Sequence, residues 1–274
     1  MNPNIKLSDS TTIPQLGFGL WQVSDEETTK SVVAAYQAGY RSIDSAQIYQ
    51  NEAGLGRAIK EGKLPRNELY ITTKIWNSEQ GHATTLRSFD VSMEKLGLEK
   101  LDLLLIHWPA PYKNLYTETW KALIQLQQEG RVRSIGVSNF HQEHLTRIID
   151  ATGVVPVINQ VELHPHFQQR ALRAFHAKHQ IQTEAWSPLG QGKVIADPRI
   201  KVIADKYRKS PAQIILRWHM QEGLVAIPKS ITPSRIIENF QVFDFKLDDG
   251  DMKVMSSLDD ENGRVGPNPD TATF

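Results

Sequence analysis

The chain has 274 residues, with 31 lysines and arginines, 31 aspartates and glutamates, and no cysteine. The balanced charge favours neither a nucleic acid nor a membrane surface as a partner. The lack of cysteine excludes disulfides, thiolate metal centres and cysteine nucleophiles. Because we find neither a signal peptide nor an apolar run long enough to span a bilayer, we expect a cytoplasmic protein.

The first predicted elements are a β-hairpin, a short strand and a helix. Residues 5–7 and 13–16 flank a polar turn, which is typical of a hairpin. A strand is predicted around residues 16–20. The helix begins after Ser24, because Ser24 and Glu27 have the spacing of a capping box and Gly39 is suited to end a helix.

Short apolar runs then alternate with helical segments to the end of the chain. The strands are predicted at residues 41–45, 69–74, 101–106, 132–137, 157–161, 181–186 and 224–228. Glycines end several of the intervening helices, and Ser210-Pro211 and Thr232-Pro233 have the pattern of helix starts. A last helix is predicted after Asp248.

Alternation of eight strands with helices requires parallel pairing and right-handed crossovers. A closed barrel and an open doubly wound sheet both satisfy this requirement. Eight near-equal units in a chain of this length favour the barrel, and the glycine-rich run at Gly17 and Gly19 lacks the third glycine of a dinucleotide-binding loop. We therefore predict an α/β fold: a (β/α)8 TIM barrel with an N-terminal β-hairpin and extra C-terminal helices, forming one domain over residues 1–274.

Four polar side chains follow the predicted strands at the end of the barrel where active sites lie. Asp44 and Tyr49 follow the second strand, Lys74 ends the third and His107 ends the fourth. Lys74 would favour the phenolate and make Tyr49 a stronger acid, while Asp44 would keep Lys74 protonated. His107 could orient a carbonyl oxygen. This set suits proton delivery to an oxygen, and the accompanying hydride requires a cofactor.

These residues lie in a series of ordered motifs by which the chain resembles the aldo-keto reductase superfamily over essentially its whole length. The motifs are Gly17-Phe-Gly-Leu-Trp21, Gly39-Tyr-Arg-Ser-Ile-Asp-Ser-Ala46, Tyr49-Gln-Asn-Glu52, Ile71-Thr-Thr-Lys74, Leu103-Leu-Leu-Ile-His-Trp-Pro109, Ser134-Ile-Gly-Val-Ser-Asn-Phe140, Asn159-Gln-Val-Glu-Leu-His-Pro165 and Ile227-Pro-Lys-Ser230. Within the superfamily, the chain is most similar to the short bacterial reductases of 2,5-diketo-D-gluconate and methylglyoxal.

The resemblance implies an NADPH-dependent reductase of small aldehydes and ketones in which Tyr49 is the general acid. It also implies that Ser138, Asn139 and Gln160 hold the nicotinamide carboxamide. The other implied cofactor contacts are Gly19, Leu20, Asp44, Trp186, Ser187, Leu189, Lys229, Ser230, Ile231, Thr232, Arg235, Glu238 and Asn239. The helix start after Thr232 and the charges of Lys229 and Arg235 favour a phosphate, so NADP is preferred to NAD.

Aromatic residues beside the catalytic positions predict a substrate pocket. The expected substrate contacts are Trp21, Gln47, Trp76, His107 and Trp108. The loop after Trp108 and the tail after Arg264 are short for this family, which predicts an open pocket for small or polar carbonyls rather than steroids. Relatives are often monomers, and we expect the same here.

Two other functions are considered for this sequence. One is a non-catalytic NADP-sensing subunit on the same fold. The other is a barrel hydrolase or isomerase, which would need paired carboxylates, a metal cluster or a phosphate loop. We predict no metal site, because His164 and His166 lack a third ligand at suitable spacing, and the helical residues His141, His144, His176 and His179 are expected to be solvated.

Overall fold

The computed structural model describes residues 2–274, so the predicted domain boundary at residue 1 lies outside the described part. Its centre is a sheet of eight parallel strands that pair in chain order. The strands are β3 (Phe18–Gly19), β4 (Ser42–Asp44), β5 (Tyr70–Ile75), β6 (Leu101–Ile106), β7 (Val132–Ser138), β8 (Ile158–Glu162), β9 (Gln182–Trp186) and β10 (Val225–Ala226). The predicted strand-helix alternation is confirmed.

The sheet closes into a barrel where its first and last strands meet. Leu16 forms a parallel bridge with Ala226, and the Gly17 and Gly19 N–H groups donate to the carbonyls of Ala226 (2.9 Å) and Pro228 (3.1 Å). A Cβ atom at Gly19 would lie 2.9 Å from the Ile227 carbonyl oxygen. Glycine is therefore required here because the two backbones approach too closely for a side chain.

Helices surround the barrel, and all but the last two connect its strands. They are α1 (Asp25–Ala38), α2 (Glu52–Glu61), α3 (His82–Leu96), α4 (Tyr116–Gln128), α5 (Gln142–Thr152), α6 (Arg170–Lys178), α7 (Pro198–Tyr207), α8 (Pro211–Gln221), α9 (Pro233–Phe240) and α10 (Asp249–Ser256). Helix α1 has the predicted limits: the Ser24 hydroxyl accepts from the Glu27 N–H, and Gly39 takes a left-handed φ of 114°. Within residues 2–274, every helix is too short or too polar to cross a bilayer.

The N-terminal hairpin lies against the starts of the barrel strands. It consists of β1 (Asn4–Lys6) and β2 (Thr12–Pro14), which pair antiparallel as predicted. The Ser134 hydroxyl, near the start of β7, donates to the Asp9 carboxylate in the hairpin turn (2.7 Å). Apolar hairpin residues join a core cluster that includes Leu103, Leu105, Ile158 and Val225. The amino-terminal end of the barrel is thus covered, while the carboxyl ends of the strands carry the polar groups.

The predicted exposure of two helical histidines was wrong. His176 is buried, and its ring nitrogens contact the Asn159 amide and the Thr183 hydroxyl, both at 2.9 Å. Burial lowers the pKa of His176 to about 3, so it is neutral at physiological pH. His144 is also buried, and its Nδ1 accepts from the His141 N–H (3.1 Å). Both residues lie on inward helix faces, where a neutral imidazole is tolerated because neighbouring groups satisfy its nitrogens.

Candidate active site

The four side chains predicted to be catalytic meet at one end of the barrel. Lys74 is fully buried, and its ammonium donates to the Asp44 carboxylate and to the Ser45 carbonyl (2.9 Å). The same ammonium lies 5.1 Å from the centre of the Tyr49 ring. The His107 ring meets the Tyr49 ring edge-on, with 5.5 Å between the ring centres. The three adjacent strands β4, β5 and β6 bring these groups together because their carboxyl ends lie side by side.

A buried asparagine anchors the loop that carries Tyr49. Asn51 donates to the carbonyls of Leu20 and Val23, both at 2.9 Å, and accepts from the Ser45 hydroxyl at 2.7 Å. This ties the loop after β4 to the loop after β3. The role was missed from sequence, because an asparagine before a helix resembles an ordinary capping residue.

Burial and charge act in opposite directions on Tyr49 and Lys74. Burial raises the pKa of Tyr49, and the Lys74 ammonium partly offsets this. Burial also opposes the charge on Lys74, but the Asp44 carboxylate raises the pKa of Lys74 overall. The predicted acidifying effect of Lys74 on Tyr49 is present, yet burial outweighs it. Tyr49 therefore holds its proton at neutral pH, beside a cation that would stabilise the phenolate left when the proton departs.

His107 is held as a neutral imidazole. Burial, and then the charge of Lys74, lower the pKa of His107 well below its usual value. Its Nδ1 is buried without a hydrogen-bond partner. Because a buried N–H without an acceptor is rare in proteins, the proton is best assigned to Nε2. The Nε2–H group of His107 is then a neutral hydrogen-bond donor, in addition to the Tyr49 hydroxyl.

Aromatic side chains form a wall beside His107. The Trp76 ring meets the His107 ring edge-on, with 5.1 Å between centres, and stacks parallel on Phe274 at 5.8 Å. Phe274 in turn meets Trp108 edge-on at 5.1 Å. Trp21 lies outside this cluster and is 42% exposed. Phe274 was missed from sequence, because an aromatic residue in an irregular tail shows no periodicity.

Hydrogen bonds hold the C-terminal tail at the barrel mouth, and the openness of the substrate pocket stays a prediction. The Glu162 carboxylate accepts from the N–H groups of Val265 (2.5 Å) and Gly266 (2.8 Å). The Phe274 carbonyl accepts from the Asn77 amide (2.9 Å) and the Tyr112 hydroxyl (3.0 Å). These bonds keep Phe274 against Trp76 and Trp108.

Both ends of the Gln47 amide form hydrogen bonds within the protein. Its oxygen accepts from the Trp76 N–H (2.8 Å), and its nitrogen donates to the Ser92 hydroxyl (3.0 Å) and the Ser88 carbonyl (3.2 Å). The predicted role of Gln47 as a substrate contact stays a prediction. The amide thus ties the backbone of Trp76 to α3.

Asn139 links two parts of the predicted cofactor site. Its amide nitrogen donates to the His107 carbonyl (3.0 Å) and the Ser138 hydroxyl (3.1 Å), and its oxygen accepts from the Trp186 ring N–H (2.8 Å). The residue has a left-handed φ of 64°, a conformation that asparagine tolerates better than most residues. Both amide N–H groups are used, so Asn139 ties the His107 backbone to the Trp186 ring, and its contact with a carboxamide stays a prediction.

Gln160 presents one free group to the predicted carboxamide site. Its amide nitrogen donates to Asp44 and to Glu184, both at 2.9 Å. Both N–H groups are thus bound to carboxyl oxygens, and only the amide oxygen remains to accept from a ligand N–H. The indole of Trp186 is half-buried and is held by Asn139. An acceptor beside an oriented aromatic face fits a nicotinamide carboxamide and ring.

The other predicted cofactor residues lie at the end of β3 and on the segments that follow β3, β9 and β10. Lys229 and Arg235 are exposed, and within residues 2–274 neither forms an ion pair with a carboxylate. They flank Thr232, which directly precedes α9, and the Ser230 hydroxyl accepts from the Thr232 N–H (3.1 Å). Cations at a helix start suit a phosphate group. The remaining positions are Gly19, Leu20 and Asn239, which are buried; Ser187, Leu189 and Glu238, which are half-buried; and Ile231, which is exposed.

One group of side chains in the described residues has the composition of a metal site. The ring nitrogens of His141 and His144 and the Asp270 carboxylate lie within 4.8 Å of one another. However, His144 Nδ1 accepts from the His141 N–H, so a neutral His144 carries its proton on Nε2, the atom that faces Asp270 at 3.6 Å. A protonated nitrogen has no lone pair for a metal. The trio is better described as a hydrogen-bonded group that holds the tail.

The fold and the site together define a class of protein. A proton-bearing phenol, a buried ammonium-carboxylate pair and a neutral imidazole at the mouth of a closed barrel are the parts of a carbonyl-reducing oxidoreductase site. Residues 15–260 match the Aldo/keto reductase family. The chain belongs to this family.

Relatives match the chain over nearly its full length. Methylglyoxal reductase DkgA of Escherichia coli strain K12 is 53% identical over 272 residues, which cover 98% of each chain. An aldo-keto reductase of Mycolicibacterium smegmatis is 52% identical over 275 residues, or 100% of this chain and 99% of the relative. Among solved structures, Gox0644 has a TM-score of 0.97 at 51% identity with full coverage of both chains, and a mutant of it was solved in complex with NADPH.

Proposed function

We propose that the protein reduces small aldehydes and ketones to alcohols with NADPH, with Tyr49 as the general acid. The substrate class is small dicarbonyls of the methylglyoxal and 2,5-diketo-D-gluconate type. The observation that carries the proposal is the position of the protonated Tyr49 phenol between the buried Lys74 ammonium and the neutral His107 ring. The names of the relatives and the NADPH bound to a similar structure support it.

Each of the four side chains has a separate role in the transfer of one proton. His107 donates a hydrogen bond from Nε2 to the carbonyl oxygen and orients it. Tyr49 then transfers its proton to that oxygen, so the phenol O–H bond breaks as the alcohol O–H bond forms. Lys74 stabilises the resulting phenolate, and Asp44 keeps Lys74 charged and in place. When bound, NADPH supplies the hydride that reduces the carbonyl carbon.

The cofactor would be held at its two ends by different kinds of group. The Gln160 oxygen would accept from the carboxamide, and the Trp186 ring would cover the nicotinamide by stacking. Lys229 and Arg235 would bind the 2′-phosphate that distinguishes NADP from NAD. The remaining cofactor contacts expected from the resemblance stay predictions, as do the monomeric state and the cytoplasmic location.

The decisive experiment replaces Tyr49 by phenylalanine. Oxidation of NADPH is followed by absorbance with methylglyoxal as substrate, and NADPH binding is measured by quenching of tryptophan fluorescence. We expect Y49F to lower kcat by about 100-fold or more, with an unchanged Kd for NADPH. The control is Y36F, which removes an exposed hydroxyl that bonds to Glu68, remote from the site.

Each contrary result has a distinct meaning. Turnover by Y49F at the rate of the unsubstituted protein would show that another group is the acid. NADPH binding by the unsubstituted protein without turnover of any carbonyl would indicate the sensing subunit, and failure to bind a nicotinamide cofactor would contradict the whole proposal.

A further inference from the structure

We infer that Glu184 is a positioning residue of this site, which acts with Asp44 to turn the Gln160 amide so that its oxygen faces the cofactor. The inference rests on the proposed function, because it assumes that Gln160 contacts the nicotinamide carboxamide. Glu184 is not one of the four groups at the reacting carbonyl, and it had no role in the sequence-based predictions. It lies beside Gln160 on the neighbouring strand, and its carboxyl group accepts a hydrogen bond from the Gln160 amide.

The register of the sheet places Glu184 directly beside Gln160. The two residues are partners in the pairing of β8 with β9, and both are buried. The Gln160 nitrogen donates to the Glu184 carboxyl on one side and to the Asp44 carboxylate on the other, at 2.9 Å each. Rotating the amide by half a turn would place its oxygen against the Asp44 carboxylate, which can only accept, so the flipped amide could keep at most one bond, accepted from a protonated Glu184. The carboxyl groups therefore select one of the two amide orientations.

The protonation of Glu184 is tied to the catalytic charge pair. The titratable groups that interact with Glu184 are Asp44, Lys74 and Tyr70, which lies at the start of β5. Burial raises the pKa of Glu184 to about 8, and the negative charge of Asp44 contributes to this shift. At neutral pH a protonated Glu184 leaves Lys74 balanced by Asp44 alone. Ionisation above about pH 8 adds a second negative charge near Lys74, which opposes formation of the Tyr49 phenolate.

Two substitutions separate orientation from charge. E184Q keeps an oxygen that can accept from Gln160 but cannot ionise, so it imitates the protonated residue. E184A removes the acceptor and frees one Gln160 N–H. We expect E184Q to bind NADPH within about twofold of the unsubstituted protein, and E184A to raise the Kd for NADPH by about tenfold. The pH profile of kcat/KM should lose a descending limb near pH 8 in E184Q.

A double-mutant cycle shows whether the effect passes through Gln160. In a Q160A background, E184A should change the Kd for NADPH by less than about twofold, because no amide is left to orient. The binding readout needs no turnover, so it is independent of the Y49F test of the proposed function. A folded E184A protein with unchanged NADPH binding would overturn the inference, as would an E184A effect of equal size in the Q160A background.

Discussion

Lys74 is a buried charge whose partners are all supplied by neighbouring strand ends. An ammonium removed from water is tolerated only when it is paired and hydrogen-bonded. Asp44 supplies the opposite charge, and the Ser45 carbonyl accepts a second N–H. Burying the pair costs stability unless all its bonds are made, and the proposed function would explain why such a pair is kept beside Tyr49.

Glu184 makes the stability of the protein depend on pH. A glutamate in the unfolded chain has a pKa of about 4.3, whereas in the folded protein burial raises the pKa of Glu184 to about 8. Between these values the folded state holds a proton that the unfolded state has released, so this residue lowers stability progressively as pH rises. Glutamine at this position cannot titrate.

Urea unfolding of the E184Q variant at pH 5 and pH 8 tests this effect. The stability of E184Q relative to the unsubstituted protein should increase between the two pH values by at least about 1 kcal/mol, since each unit of pKa shift corresponds to about 1.4 kcal/mol. The exposed glutamate variant E129Q is the control. Parallel pH dependence in E184Q and the unsubstituted protein would show that Glu184 ionises normally.

At the scale of elements, the start of α9 is the feature proposed to distinguish NADPH from NADH. The Pro233 ring presets the first turn of the helix, and Arg235 and Lys229 remain exposed beside it. The helix dipole and the charges of Lys229 and Arg235 would attract a doubly charged 2′-phosphate, a group that NADH lacks. Coenzyme choice is therefore expected to depend on this short segment rather than on the nicotinamide end.

Removal of one cation should change the coenzyme preference. We expect R235A to raise the Kd for NADPH by about tenfold, because a charge-assisted bond to the phosphate is lost. The Kd for NADH should stay within about twofold of its value in the unsubstituted protein. Fluorescence titration with both coenzymes measures the two values. R87A, on an exposed part of α3, should change neither. Equal weakening of both coenzymes by R235A would place the 2′-phosphate elsewhere.

At the scale of the whole molecule, the tail from residue 264 to residue 274 connects distant parts of the barrel mouth. Glu162 at the end of β8 holds Val265 and Gly266, and His141 at the start of α5 binds Asp270 at 2.9 Å. Phe274 then lies against Trp76 and Trp108. Helix and strand ends remote in sequence thus hold the tail against the aromatic side chains of the mouth.

Substrate size should respond to Phe274. F274A removes the aromatic side chain that stacks on Trp76, so bulky carbonyls gain space and small ones lose contact area. We expect kcat/KM for phenylglyoxal to rise by roughly tenfold relative to that for methylglyoxal, within the range that pocket contacts provide. Steady-state kinetics with both substrates measures the ratio. V202A, on the surface of α7, is the control, and an unchanged ratio in F274A would place the substrate away from Phe274.

The sequence by itself determined the order of the strands and helices, the closed barrel and the four polar groups at its mouth. These features were predictable because they rest on local signals: the Ser24 capping box, glycines at helix ends and a polar residue directly after each apolar strand. Parallel strands with short connections then leave few arrangements for the groups that follow them.

Only the tertiary structure decided how the groups share their hydrogen bonds and how far each is buried. The amides of Gln47 and Asn139 form hydrogen bonds within the protein. Glu184 accepts a hydrogen bond from Gln160, and Phe274, at the end of the tail, stacks on Trp76. None of these contacts is local in sequence. Burial also reversed the net direction of the pKa shift expected for Tyr49, because desolvation depends on everything packed around a group and not on its nearest charged partner alone.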